Sequence, residues 1–553
     1  MEKKVNYLPI VQAMEQLVQR VKTLKVKRED PYGKIVNHQI SGIRIAYLTY
    51  EDHMISYLNG IADTQKQVKQ IPEMLFTLFY ENEKKVMRFE LPVRSNFLFD
   101  PEGMLSHIWP SLAIAIDQLF DEFYASKSEE NKFYQEDLVD PVVMNESEFQ
   151  LSMVEKIPQS VQEAFLDLQR DCYLMDKVAK LDAALTSKRK LWIVVDSWGT
   201  KVLQKQDTAH TSLSFTVVNN QKRVFEKTFS NIYCDWRAFE DQLPTLRKNC
   251  QHFFFSLERK QLESGIYPLI FAPSAVGTLF HEALAGHMLS GTFILTEESN
   301  IFKGKLGKKI AKNGFMDILN QIQIWDCPRD ESMVASYQYD MEGAEAKDVC
   351  LIDHGKVKNF LLDKNSASYL KLSNNGHALA GDFLTQVLYN FMIIPEARVP
   401  EPRVSNLTIV SEVDYSLEEM KADMLDQFGY YFWVESSSGE VNVETGTFNL
   451  NVDHLVKIYK NGDKEYFYGG VFSANLTDFL SAIHVVSSCY GRMQGYCGSS
   501  SGWVPTEEFV PAMVVYGVNW APAALPEKNK ILNLKRDKFI PKSWERKNSS
   551  FEC

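Results

Sequence analysis

The sequence predicts an α+β protein in which a mixed N-terminal region of two units precedes a β-rich C-terminal domain. Three observations carry that expectation. At 553 residues the chain exceeds what one hydrophobic core organises, so two or three domains are expected. Its first half alternates helix-period with strand-period segments. Its second half runs through short, glycine-punctuated strands such as SNLTIV, YYFWVES and PAMVVYGV.

In the opening MEKKVNYLPIVQAMEQLVQRVKTLK, residues Ile10, Val11, Met14, Leu17, Val18 and Val21 recur at helical spacing between polar residues. This predicts an amphipathic helix and not a signal peptide. GKIVNHQISGIRIAYLTYEDHMISYLNG reads as strands with turn signals, and WPSLAIAIDQLFDEFYASKSEENK as an apolar helix with a charged tail. The polar, proline-punctuated residues 127–160 make the best linker, which places a boundary near residue 150. Residues 1–150 are thus expected as an N-terminal α+β unit. In the middle unit, 151–260, the helical stretch PQSVQEAFLDLQRDCYLMDKVAKLDAAL leads into KLWIVVDSWGTKVLQKQDTAHTSLSFTVV, which alternates like antiparallel strands. Residues 261–553 then form the β-rich domain.

Composition narrows function. Hydrophobic residues make up 45% and charged residues 24%, the balance of a folded globular protein. A net charge of -12 argues against nucleic acid as a main partner, because phosphate recognition needs clustered Lys and Arg. No stretch approaches the roughly 18 consecutive apolar residues of a membrane span, so no membrane partner is expected and the cytoplasm is the expected compartment. The eight cysteines form no CxxC pair, which fits reduced thiols better than a disulfide framework.

The chemistry concentrates in GTLFHEALAGHMLSG, residues 277–291. Ser274 is placed to cap a helix beginning near Ala275, with His281 and Glu282 one to two turns in. His281 and His287 stand six positions apart, which on an ideal helix leaves their rings roughly 120° apart and too far for one tetrahedral ion. Gly286 offers a remedy, through a left-handed residue or a bulge that swings His287 back. Without such a distortion, two histidines on an apolar helix read as satisfied core residues.

The order of motifs downstream weighs on that choice. YPLIFAPSAVGTLFHEALAGH, MEGAEAKDVCLIDHGKVKNFLLDKNSASYL, VPEPRVSNLTI, SSGEVNVETGTFNLNVDHLVKIYKNGDKEYFYGGVF and YCGSSSGWVPT follow one another in the order of the TldD/PmbA family of zinc metalloproteases. The chain resembles that family over roughly residues 262–520. The resemblance implies a zinc ion held by His281, His287 and Cys497, with Glu282 as general base. It implies a zinc-dependent peptidase acting on unfolded or flexible polypeptides, assembled as a homodimer or as a heterodimer with a related subunit. Two neutral imidazoles and a thiolate leave a fourth tetrahedral position for water, as a catalytic zinc requires.

The chain departs from the family in having one more residue between its histidines and Ser290 where an acid is common. An inactive partner or scaffold subunit is therefore one alternative, and a gyrase-modulator-type binding protein another. Cys497, among glycines and serines, is expected on an exposed loop, and Cys489 in core packing. Arg403 and Asn406 coincide with polar positions of the family, where they fix a substrate carbonyl or carboxylate or else anchor a loop. His377, in NNGHALAGDF, lines the cleft or serves structure alone.

Overall fold

The computed structural model describes residues 4–23, 25–29, 32–82, 85–94, 101–125, 141–175, 177–296, 301–310, 318–389 and 392–525. The expected first helix spans Leu8–Thr23 and buries all six residues of its predicted apolar face. Each fully buried side chain of this kind contributes about 1.5–3 kcal/mol relative to exposure. That face packs on Ile43, Ile45 and Tyr47 and on the helix Pro101–Ala125. Residues 127–140 of the expected linker lie outside the described residues.

The strand Gly42–Leu58 pairs antiparallel with Val178–Asp196 from Arg44↔Asp196 to Leu58↔Asp182. Stretches read as two successive units therefore contribute to one sheet. Its order is Val224–Tyr233, Lys201–Val218, Val178–Asp196, Gly42–Leu58, Glu73–Asn82 and Lys85–Arg94, with Ile61–Lys69 also paired to Gly42–Leu58. The run LWIVV explains how the sheet is covered. Leu191, Ile193 and Val195 face the N-terminal helices, while Trp192 and Val194 face the C-terminal domain. Side chains alternate across a pleat, so a continuous apolar run marks a strand buried on both faces. At its far end the sheet is covered by the helices Gln159–Tyr173 and Trp236–Ser256. Pro244 inside the second of these interrupts the sequence pattern that marks a helix.

The C-terminal region forms a mixed sheet of thirteen strands among the described residues. At its middle, Leu269–Phe271 runs parallel to Phe432–Val434 and antiparallel to Met513–Val515. The protein is thus α+β, as the sequence predicts, with two large sheets. Between them, Arg44 and Glu342 form a buried ion pair at 3.1 Å, and Trp192 donates from Nε1 to the carbonyl of Tyr339 at 3.1 Å. Among the described residues no helix is long and apolar enough to cross a membrane.

Candidate metal centre

The buried strand Leu269–Phe271 leads directly into the helix Pro273–Phe280. The N-cap is Ala272, with Pro273 at the first helical position, where its missing N–H costs nothing. Ser274 is therefore not the cap; its carbonyl accepts from Thr278 Oγ1 at 3.0 Å. From His281 to Ala285 the backbone widens into a π turn, closed by the Gly286 amide on the His281 carbonyl at 2.8 Å. This is the distortion the spacing demands, and such turns concentrate at functional sites. Gly286 itself keeps right-handed angles, φ -66 and ψ -34, so the bulge and not a left-handed residue does the work. A Cβ at Gly286 would sit 2.8 Å from the His281 ring and from the His281 carbonyl oxygen. Only glycine fits there without displacement.

Across this turn the His281 and His287 rings stand 6.0 Å apart between centroids, at 79°. Cys497 reaches them from the strand Ile483–Ser499, where it pairs with Val504. Its sulfur lies 3.7 Å from His287 Nε2. One donor atom each from His281, His287 and Cys497 fall within 4.8 Å of one another. Two imidazole nitrogens and a thiolate sulfur are a donor set that would suit a divalent cation such as zinc. Cys497 is buried, not on an exposed loop, because both strands of its hairpin continue past it. Cys489, by contrast, is exposed at a register break near Tyr490, and not in the core.

The donor set is tuned by its neighbours. Glu508, fully buried on Gly502–Val515, holds His281 Nδ1 at 2.8 Å. That bond directs Nε2 toward the other donors and strengthens the imidazole as a ligand. Burial disfavours the charged form of His281, but Cys497 and Glu508 outweigh it and hold its pKa well above the ordinary value. Burial likewise pushes the Cys497 thiol up, yet Arg403 and His281 together bring it well below the usual range. A thiol poised to ionise beside two imidazoles suits a soft divalent cation. Glu282, half-buried, lies 3.6 Å from His287 Nε2, and burial raises its carboxyl pKa.

Sequence reasoning missed Glu508. The signal was present in GWVPTEEFVPAMVV, where two adjacent carboxylates interrupt an apolar strand. Period-two geometry sends one of any adjacent pair inward; here both are buried, and Glu507 is held by Arg492 at 2.8 Å and by the Val334 amide at 2.7 Å.

Of the two readings left open for Arg403, Asn406 and His377, their contacts fit the supporting one. Arg403 is buried and donates to the Cys497 carbonyl at 2.7 Å and to Ser501 Oγ at 3.0 Å. Its guanidinium is spent on the cysteine strand, so it anchors that segment. Asn406 accepts from the Ala335 amide and donates to the Cys327 carbonyl, both at 3.1 Å. His377 is fully buried between Asn375 at 2.9 Å and Asp326 at 3.0 Å. Neither faces the cleft, because each fills backbone or carboxylate bonds that a buried loop must satisfy.

The cleft in front of the donors has a volume of about 340 Å3 and is lined by Glu282, His287, Ser438, Gly439, Glu440 and Trp503, among others. Beyond Val434, the strand Tyr430–Asn442 has no strand on its second edge among the described residues. Ser438 to Val441 therefore present an open edge to the cleft.

A two-sheet α+β fold with His281, His287 and Cys497 gathered beside Glu282 defines a candidate metal site. The sequence profile of the PmbA/TldA metallopeptidase C-terminal domain matches residues 264–521, just under half of the chain, and supports the TldD/PmbA resemblance. It is 30% identical over 236 residues to a zinc metalloprotease TldD homolog of Saccharolobus solfataricus, covering 42% of this chain and 47% of that protein. It is 29% identical over 250 residues to a metalloprotease of Methanothermobacter thermautotrophicus, covering 45% of this chain and 48% of that one. The chain thus spans about half the length of the curated relatives it matches. Among solved structures, TldE from Thermococcus kodakarensis superposes with a TM-score of 0.61 at 17% identity, over 92% of this chain and 100% of that one. A candidate modulator of DNA gyrase from Thermotoga maritima superposes with a TM-score of 0.58 at 16% identity, over 87% of this chain and 96% of that one. At such identities these likenesses concern the fold alone.

Proposed function

We propose that the protein is a zinc-dependent peptidase acting on unfolded or flexible polypeptides, with His281, His287 and Cys497 as ligands and Glu282 as general base. The observation that carries the reading is the π turn, which brings two histidines six residues apart to one point beside a buried, acidified cysteine. An all-core reading of the histidines does not account for a glycine that clears the ring or for a carboxylate on its far nitrogen. The same convergence speaks against an inactive scaffold subunit. Three protein ligands fit zinc's tetrahedral preference and leave one position open.

When bound, zinc supplies Lewis acidity and lowers the pKa of water at that open position. The chain's own residues do the rest. Glu282 borders the cleft, and its raised pKa suits it to take a proton and hand it to the leaving amine. Glu508 keeps the His281 tautomer fixed throughout. The open edge at Ser438–Val441 suits an extended chain, which pairs through its backbone and thus with little side-chain preference. Folded proteins do not offer such a strand, so flexible polypeptides are the substrate class. By family likeness the working assembly is a dimer, of identical or related subunits.

The test is metal analysis of the purified protein together with Glu282→Gln. Zinc is expected in both, with hydrolysis of an unstructured peptide falling at least about a hundredfold in the variant, as for loss of a general base. A native protein that binds no divalent metal overturns the reading.

A further inference from the structure

A second cavity, of about 280 Å3, opens on the seam between the two sheets and shares Tyr496 and Trp503 with the metal cleft. Those two side chains border both spaces, so the recess adjoins the cleft. Its floor is one face of the N-terminal sheet. Strand register sets Lys190 between Tyr50 and Gln206, and Lys188 between Asp52 and Thr208. Asp382, Arg398 and Trp503 of the C-terminal region close it from above.

The charges in this recess do not balance. Its lining holds four cations, Arg94, Lys188, Lys190 and Arg398, against two carboxylates, Glu73 and Asp382. Both carboxylates are already engaged. Glu73 pairs with Arg94 and accepts from the Phe383 amide at 2.8 Å, and Asp382 pairs with Arg398 at 2.6 Å. Among the described residues no carboxylate lies within 4.0 Å of either lysine nitrogen. Lys190 Nζ donates to the Ala380 carbonyl at 2.5 Å and stands 5.5 Å from the Trp192 ring centroid, and Lys188 Nζ stands 5.2 Å from the Tyr50 ring centroid. Asp52, across the ladder, is the acid on which Lys188 acts.

An ammonium carries three donors, and Lys190 spends one on the protein while being 6% exposed. Burying such a charge is costly unless an anion meets it. Burial accordingly drives its pKa down to about 7. A cation placed at that cost, with donors in reserve and a cavity in front of it, is arranged for a ligand.

We propose that this recess is an anion subsite in which Lys188 and Lys190 take a carboxylate of a peptide held in the metal cleft. The proposal rests on the peptidase reading for the carrier of the anion, and on the recess alone for its charge. The carboxylate comes from the chain's C-terminus or from an Asp or Glu side chain; the chemistry is shared. Peptides bearing one are held in register with the cleft, and peptides lacking one lose that hold.

The experiment uses the zinc-loaded full-length Glu282→Gln protein, so that binding is read without turnover. A fluorescent unstructured peptide is supplied in four forms, with Asp or Asn internally and a free or amidated C-terminus, and affinity is measured by anisotropy. The form without any carboxylate is expected to bind about tenfold more weakly, the lower end for a charge-assisted hydrogen bond. Whichever carboxylate carries that difference identifies the source. With Lys188→Gln and Lys190→Met combined, the preference falls below twofold; should the pair not fold, Lys188→Gln alone, at the less buried position, is expected to lower it to about threefold. Equal affinity for all four forms, a preference that survives these substitutions, or no binding of any peptide overturns the subsite. The peptidase reading is scored separately: carboxylate preference without cleavage by the unsubstituted protein removes the activity and keeps the subsite, and cleavage without preference does the reverse.

Discussion

Gly286→Ala separates the fold from the metal site. By backbone alone the change is favourable, since φ -66 and ψ -34 are ordinary helical angles and alanine exceeds glycine by about 1 kcal/mol in a helix. By sterics it is not, because the new Cβ would lie 2.8 Å from Cδ2, Nε2 and the carbonyl oxygen of His281. Relief requires the ring to shift or the π turn to open. Overpacking of this kind costs about 1–3 kcal/mol, so the net loss of apo stability is about 0–2 kcal/mol. On the proposed reading a bound metal would feel far more, because the displaced nitrogen is one of the three donors gathered there among the described residues. Disturbing a ligand's support alone costs about 10- to 100-fold in metal affinity, and moving the ligand itself is expected to reach the upper end. The assay is zinc affinity by competition with a chromophoric chelator, alongside thermal melting of the metal-free protein. An alanine variant that melts near the parent and binds zinc about a hundredfold more weakly is the expected result. Undiminished zinc affinity would refute the idea that the π turn exists to place His281.

Two further outcomes follow from buried charge. Glu508→Gln keeps an acceptor on His281 Nδ1 but removes the negative charge; zinc affinity is expected to fall about tenfold, and the His281 pKa of the apo protein to move back down, which a histidine NMR titration reads. Lys190→Met removes an ammonium whose pKa is about 7 in the fold and near 10.5 when unfolded. The charged form is the one the fold disfavours, so that cost is fully present below pH 7 and fades as pH rises toward 10.5. The variant should therefore be more stable than the parent by a few kcal/mol at pH 6, and the gain should shrink by pH 9, as measured by chemical denaturation at the two values.

Much of this was legible from local pattern, and what was not depends on distant pairing. The six apolar positions of Leu8–Thr23 announce their helix because the period lies within the segment. LWIVV reads as a strand for the same reason. That it joins Gly42–Leu58 in one sheet is a non-local fact, decided by which partner buries both of its faces. The six-residue spacing of the histidines shows that a regular helix fails, and Gly286 shows where it must yield; the π turn chosen is set by the His281 ring lying against that glycine. Cys497 misleads because its Gly and Ser neighbours describe a loop, whereas the hairpin to Val504 pulls it inside. For Arg403 the motif alone leaves substrate contact and loop anchoring open, and the structure has it donating to the Cys497 carbonyl, Ser501 and Glu401.

The short segment Glu401–Pro402–Arg403 shows why Ser290 need not be an acid here. Arg403 fixes the cysteine arm of the site through the Cys497 carbonyl. The histidine arm is fixed from the same segment, because Ser290, buried three residues beyond His287, donates from Oγ to the Pro402 carbonyl at 3.1 Å. One piece of backbone thus ties both arms, and a hydroxyl is the group that can donate to it. Ser290→Ala leaves that carbonyl unsatisfied at a cost of about 1–3 kcal/mol. Ser290→Asp is expected to cost more than Ser290→Ala, since a carboxylate at this buried position faces a carbonyl oxygen and cannot donate to it. Melting temperatures of the two variants rank these effects, and zinc affinity should follow the same order as the arms loosen. An aspartate variant as stable as the parent, with zinc bound as tightly, would mean that the position accepts an acid as well as a hydroxyl and that the tie to Pro402 does not hold the site together.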